Sequence, residues 1–214
     1  MIISHYRVNH PQVWYLQIGA FDGVSGDPIY PLIEKHRLRG ILVEPQSDAF
    51  ERLKVNYSRF GPERFQFFNA AIADHNGTAP LYRIKAEARG PEWLHQIASF
   101  DRNVVLRHSS VIPNLESFIE TESVRCITFG TLFKETGISY VDMLQVDAEG
   151  YDHEVLRLFE IPTRHPAIIR FEHKHLRPTD YGQAMGMLVD LGYRFTVCDE
   201  STLAYADQEG VSGT

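Results

Sequence analysis

The sequence predicts an α/β fold, a doubly wound and mostly parallel sheet, on two observations. Short apolar runs of strand character alternate with longer segments of helical period, with no internal repeat or low-complexity tract between them. The last two runs, YRFTVC and TLAYA, are close enough to pair as a C-terminal antiparallel hairpin. Such alternation places helices on both faces of a parallel sheet, and a terminal hairpin adds an antiparallel edge.

The elements follow in order. VWYLQIGA (13–20) reads as a strand, apolar and β-branched, ending at glycine. Residues 28–38 read as a helix with Ile29, Leu32 and Ile33 on one face. GILVEP (40–45) is a buried strand stopped by Pro45. In 49–57, Phe50, Leu53 and Tyr57 recur at helical spacing. FQFFNAAIA (65–73) is a third strand, and LYRI (81–84) a short one after an Asn76-Gly77 turn. VDMLQVD (141–147) is a strand, followed by a helix over 153–159. AIIRFEH (167–173) is the next strand, and 181–191 a helix carrying Met185, Leu188 and Val189. The stretch 85–125 shows no clear strand, and ~40 residues exceed a plain connector. It carries Trp93, His95, Phe100, Arg102 and His108 and reads as a partly helical lid or substrate insertion over the strand ends.

The totals bound the rest. A chain of 214 residues suits one domain, here 1–214, with enough length for a large core. The net charge of −7 argues against a general nucleic-acid binder, which needs a basic footprint. Cys126 and Cys198 form no CxxC pair or zinc pattern and read as two reduced, largely buried thiols. The N-terminal MIISHYRVNHPQ lacks a charged start before a long apolar run, and no stretch reaches the ~18 apolar residues of a membrane span. No membrane partner and a cytoplasmic location are expected.

Ligands in parallel sheets bind outside the carboxyl ends of the strands. The turn IGAFDG (18–23) stands at one such end, where glycine admits a tight turn and a close ligand. It lacks the third glycine of a GxGxxG fingerprint, which counts against a nicotinamide cofactor and an NAD-dependent oxidoreductase or epimerase. Glu44 ends the second strand, about twenty residues past the turn, where an acid can accept from ribose hydroxyls. VDAEGYDHE (146–154) crowds four acids and a histidine behind a buried strand. Asp147 and Glu149 share a direction if the strand geometry continues, whereas Asp152 and Glu154 suit the first turn of a helix.

Read together, IGAFDGVSGDPIY, GILVEPQSDAFERLKVNY, NAAIADHNGTAPLY and LQVDAEGYDHEVL resemble the FkbM family of class I S-adenosylmethionine-dependent methyltransferases, over about residues 13–160. The resemblance implies a seven-stranded Rossmann-like sheet with S-adenosylmethionine as cofactor. It implies that Gly19, Ala20 and Asp22 line the methionine end, that Glu44 with Pro45 holds the ribose, and that Asn69, Ala70 and Ala71 border the adenine. Asp147 would lie near the sulfonium, whose charge carboxylates favour.

The resemblance alone implies O-methylation of a small-molecule hydroxyl, in a sugar or natural product, with a base removing the hydroxyl proton; an amide or amine nitrogen is the alternative acceptor. Candidates for catalysis are Asp147, Glu149, Glu172, His173 and His153; His153 suits a site base and a surface helix position equally. Asp147, Glu149 and His173 could also surround a divalent ion, but their spacing is not diagnostic and no metal is predicted. A nucleotide-binding domain without turnover is the other class left open.

Overall fold

The computed structural model describes residues 12–206. Its strands in chain order are β1 (Trp14–Ile18), β2 (Arg39–Val43), β3 (Phe65–Phe68), β4 (Ala71–Ile72), β5 (Gly77–Ile84) and β6 (Ala98–Ser99). After them come β7 (Ile119–Ile127), β8 (Met143–Val146), β9 (Ile168–Glu172), β10 (Tyr193–Cys198) and β11 (Ser201–Ala206). The helices are α1 (Tyr30–His36), α2 (Ser47–Tyr57), α3 (Arg102–Leu106), α4 (Phe129–Thr136), α5 (Asp152–Leu158), α6 (Ile161–Arg164) and α7 (Pro178–Asp190).

Seven strands form the main sheet in the order β10-β11-β9-β8-β1-β2-β3. All its neighbours are parallel except β11, which is antiparallel to both β9 and β10. The chain runs outward from β1 to β3 and returns to β8 on the other side of β1, so the strand order reverses between β1 and β8. The period of two along each strand sorts side chains to two cores. Leu16, Ile18, Leu144 and Val146 join Phe129, Leu132, Val155, Phe159 and Leu188. Tyr15, Leu42 and Met143 join Ile33, Leu53 and Tyr57 on the opposite face. There Tyr57 meets Phe65 edge-on at 5.0 Å, a geometry worth ~1 kcal/mol beyond the area it buries.

A second sheet, in the order β4-β7-β5-β6, departs from the sequence expectation. FQFFNAAIA is two strands, not one. Asn69 breaks it, because its Nδ2 donates to the carbonyls of Glu44 (2.9 Å) and Pro45 (3.1 Å). Beyond the break, Ala71 and Ile72 pair in parallel with Cys126 and Ile127. LYRI is the end of an eight-residue strand. The stretch 85–125, read as strandless, ends inside the nine-residue β7, which pairs along the whole of β5. β7 escaped the reading because IETESVR is mostly polar and only one face of the strand is covered. Between the two lie a short helix, 3₁₀ turns and a separate small core of Ile84, Leu94, Ile97, Val105, Ile112 and Leu115.

Helix α4 also had no counterpart in the sequence reading. Thr128 caps it, accepting from the Thr131 amide at 3.1 Å, and Gly137 closes it at φ +68°. Cys126 is buried, but Cys198 is exposed, contrary to expectation, because it lies on the uncovered edge strand β10. The N-terminal stretch 1–11, read for a signal sequence, lies outside the described residues.

Candidate active site

Sheet register lines up the candidate residues. Ile18 pairs with Val43 on one side and with Val146 on the other; Val43 pairs with Phe68 and Val146 with Phe171. The residue after each of these is therefore level with the others: Asn69, Glu44, Gly19, Asp147 and Glu172. The row crosses the sheet at the carboxyl ends of the strands and spans the reversal point. Gly19 is obligatory there. Its φ is +74°, and a Cβ would stand 1.8 Å from the Asp147 carbonyl oxygen.

A cleft of about 890 Å³, counting its open mouth, lies over the middle of this row, at Glu44, Gly19 and Asp147. Of the residues expected to hold a cofactor, Gly19, Ala20, Glu44, Pro45, Ala70, Ala71 and Asp147 line it. Asp22 and Asn69 do not. Asp22 instead ties its own turn, accepting from the amides of Val24 and Ser25 and from the Ser25 hydroxyl. Asn69 acts through Glu44 and Pro45, as above. Glu44 is 2% exposed and accepts from the amides of Phe21 and Gln46, both at 2.7 Å. It thus pins the two loops that flank the cleft, and burial raises its carboxyl to about 7.

The acids of the DAEG turn separate by role. Asp147 and Glu149 line the cleft. Asp152 is fully buried and accepts from the amides of Ala148 (3.3 Å) and Gly150 (3.2 Å). It belongs to the site's scaffold, not merely to a helix start, and it holds the turn that aims Glu149. Glu149 itself adopts a left-handed backbone, φ +48°, ahead of Gly150 at φ +90°. Glu154 does pair within its helix, with Arg157. Burial raises Asp147 to about 6, Asp152 to about 7 and Glu172 to about 9. Glu149 is raised well above its usual range by burial, then by the neighbouring charges of Glu172, Asp147 and Asp152.

The histidines are redistributed. His153 is half-buried on α5 and does not line the cleft. His173 turns to Thr202, Nδ1 to Oγ1 3.1 Å, and packs on Tyr181. His175, which the sequence reading passed over as a site residue, takes the place expected of His173. Its Nε2 stands 3.2 Å from Glu149 Oε2 and 4.0 Å from Glu172 Oε2. Its signal was the spacing of three from Glu172, which a turn brings to one side but a continued strand does not. Burial lowers its imidazole to about 4.

The insertion closes over this corner. Ser99 Oγ donates to the Glu149 carbonyl at 2.8 Å, and Arg107 donates to the His175 carbonyl at 3.0 Å. Phe100 lines the cleft and meets Tyr151 edge-on. Trp93 packs on His108 and His108 on His175; neither Trp93 nor His95 lines the cleft. Arg102 is engaged with Glu116, and Arg89 is exposed.

The methyltransferase FkbM domain matches residues 17–195, most of the chain. The chain belongs to the FkbM methyltransferase family. An FkbM methyltransferase from Methylobacillus flagellatus KT shares the fold at a TM-score of 0.58 and 12% identity. That likeness covers 91% of this chain but only 44% of the other, so the FkbM chain described here spans under half of that relative's length. A precorrin-6y C5,15-methyltransferase from Geobacter metallireducens GS-15 gives 0.45 at 10% identity, covering 96% of this chain and 87% of that one. The N-terminal domain of human METTL16 gives 0.49 at 10%, covering 96% and 65%. No curated protein matches the sequence. Among the described residues, no helix is long and apolar enough to cross a membrane.

Membership in this family makes S-adenosylmethionine the cofactor to test against the cleft, and its polar lining fits. Gln17 Oε1 and Gln145 Oε1 are buried acceptors without a hydrogen-bond partner, and both residues line the cleft beside Asp147. Acceptors and a carboxylate grouped in this way suit an ammonium and a sulfonium.

Proposed function

We propose that the chain is an S-adenosylmethionine-dependent methyltransferase that methylates an oxygen of a small-molecule acceptor in the cytoplasm. The observation that carries the reading is the level row of strand ends, where Gly19 and Glu44 flank one side of the reversal point and Asp147 and Glu172 the other. The net charge of −7 favours a small acceptor over a nucleic acid. The two unpaired cysteines suit a reducing compartment.

When bound, the cofactor supplies a methyl group on a positively charged sulfur. The chain's own part is to hold, orient and deprotonate. Both Glu44 oxygens spend one lone pair on backbone amides and keep another for ribose hydroxyls. Ala70 and Ala71 give a small, apolar wall to the far side of the cleft. Asp147 sets a negative potential at the reversal point, and Gln17 and Gln145 offer acceptors behind it. Glu149 receives the acceptor's proton. A carboxylate whose pKa is pushed up by burial is a stronger base than an exposed one, which suits a hydroxyl acceptor. Phe100 and the rest of the insertion over 85–125 exclude water and shape the acceptor's side.

Calorimetric titration with S-adenosylhomocysteine tests the reading. Micromolar binding is expected, weakened roughly tenfold or more (about 1.4 kcal/mol) in folded Glu44→Ala and Asp147→Ala. No binding by the native chain would sink the proposal. Binding without methylated product across a broad hydroxyl and amine screen would favour a domain without turnover.

A further inference from the structure

Three donor atoms stand unexplained beside the cleft. Glu149, Glu172 and His175 each offer one ligand atom, and these lie within 4.8 Å of one another. Glu149 Oε2 and Glu172 Oε2 are buried and accept no hydrogen bond among the described residues. Glu172 and His175 are both 8% exposed, so water does not make up the loss. Buried carboxylates left this way cost several kcal/mol unless something pairs with them.

The neighbouring side-chain cations are engaged elsewhere, except that Arg170 Nη1 is buried without a partner and its charge bears on Asp147. Arg107 donates to the His175 carbonyl, Lys174 pairs with Glu200 at 2.6 Å, and Arg170 donates to Ser201 Oγ at 2.7 Å. The backbone around the donors is held from outside. Ser99 anchors the Glu149 carbonyl, Asp152 clamps the amides on either side of Glu149, and Arg107 anchors His175. Bracing of this sort is what a metal's ligands receive from their surroundings. Two carboxylates cancel the charge of a divalent ion, and the imidazole shifts preference from magnesium or calcium toward first-row transition ions. Such an ion, with bonds of ~2.1 Å, keeps its donors ~3–4 Å apart, close to the 3.2 and 4.0 Å found here.

We propose that Glu149, Glu172 and His175 form a binding site for one divalent first-row transition-metal ion, with its open positions toward the cleft. The ion would hold the acceptor's oxygen and make its hydroxyl more acidic. Glu149 would then act as a ligand, and the hydroxyl proton would pass to Asp147, which lines the cleft and is not a ligand of the ion. This role rests on the methyl-transfer reading; the binding does not.

The test uses chelator-treated full-length protein titrated with Mn²⁺, following loss of the free-ion electron paramagnetic resonance signal. One ion per chain is expected at micromolar affinity. Glu172→Gln and His175→Gln should each weaken it tenfold or more, and Glu154→Gln, on the exposed Arg157 pair, should leave it unchanged. Thermal melts confirm that each variant is folded. No stoichiometric binding by the native chain, or binding indifferent to both site variants, overturns the site. S-adenosylhomocysteine titrated without metal separates the two proposals: binding there with no Mn²⁺ site removes only the ion, and the reverse removes only the methyl donor.

Discussion

Glu172→Gln should make the metal-free protein more stable at alkaline pH, although it alters a buried residue. Glu172 is raised from 4.5 to about 9, first by burial and then by the charges of Asp147 and Asp152. An acid raised in the folded state favours folding while it is protonated in both states, below about 4.5. That advantage is lost as pH rises through the folded value near 9. At about pH 8 the folded chain must keep this carboxyl protonated where the unfolded chain ionises it; shared with the neighbouring acids, that penalty is on the order of 2 kcal/mol for the one side chain that glutamine neutralises. Glutamine keeps the volume, and Oε2 accepts no hydrogen bond that the change could break. For a chain of this size ~2 kcal/mol corresponds to ~4–8 °C in Tm. Chelator-treated protein and variant would be melted at about pH 4, 6 and 8 by circular dichroism. The variant's advantage should grow with pH and vanish near pH 4. A variant melting at or below the native chain at pH 8, or a gap independent of pH, would refute the reasoning.

Gly19→Ala should abolish S-adenosylhomocysteine binding in calorimetry, since its Cβ would sit 1.8 Å from the Asp147 carbonyl, and the left-handed backbone alone costs ~1–2 kcal/mol in a melt. Asn69→Ala should destabilise by ~1–3 kcal/mol by freeing the carbonyls of Glu44 and Pro45, and should weaken the cofactor although Asn69 does not line the cleft. Arg107→Ala removes the anchor on the His175 carbonyl; steady-state kinetics should show KM for the acceptor rising several-fold while S-adenosylhomocysteine affinity holds.

The main sheet was legible because its central strands are short, buried on both sides and punctuated by glycine or proline, as in VWYLQIGA and GILVEP. The row Glu44–Gly19–Asp147 was legible for the same reason, since each residue directly follows the last apolar residue of its strand. What escaped the reading depends on contacts distant in sequence. β7 carries Glu120, Thr121, Glu122 and Arg125 in a strand whose partner is β5, and nothing local marks it. Asn69 looks like mid-strand until its amide is seen to bond the neighbouring loop. Asp152 looks like a helix-start acid until the turn folds back onto it. His175 was missed because the strand was extended past Glu172, where the chain in fact turns, with the Leu176 amide donating to the His173 carbonyl.

The pairing of Ala71 and Ile72 with Cys126 and Ile127 has a consequence for how such a chain can diversify. Everything from Ala73 to Arg125 departs from and returns to one pair of adjacent strands, and it carries its own small core. Because its two ends are already held side by side, lengthening or exchanging the interior adds only ~0.6 kcal/mol of closure entropy per doubling of length. The excursion is in effect a cassette. Grafting one from another chain at these two strands would change which molecules reach the cleft while leaving the strand-end row intact.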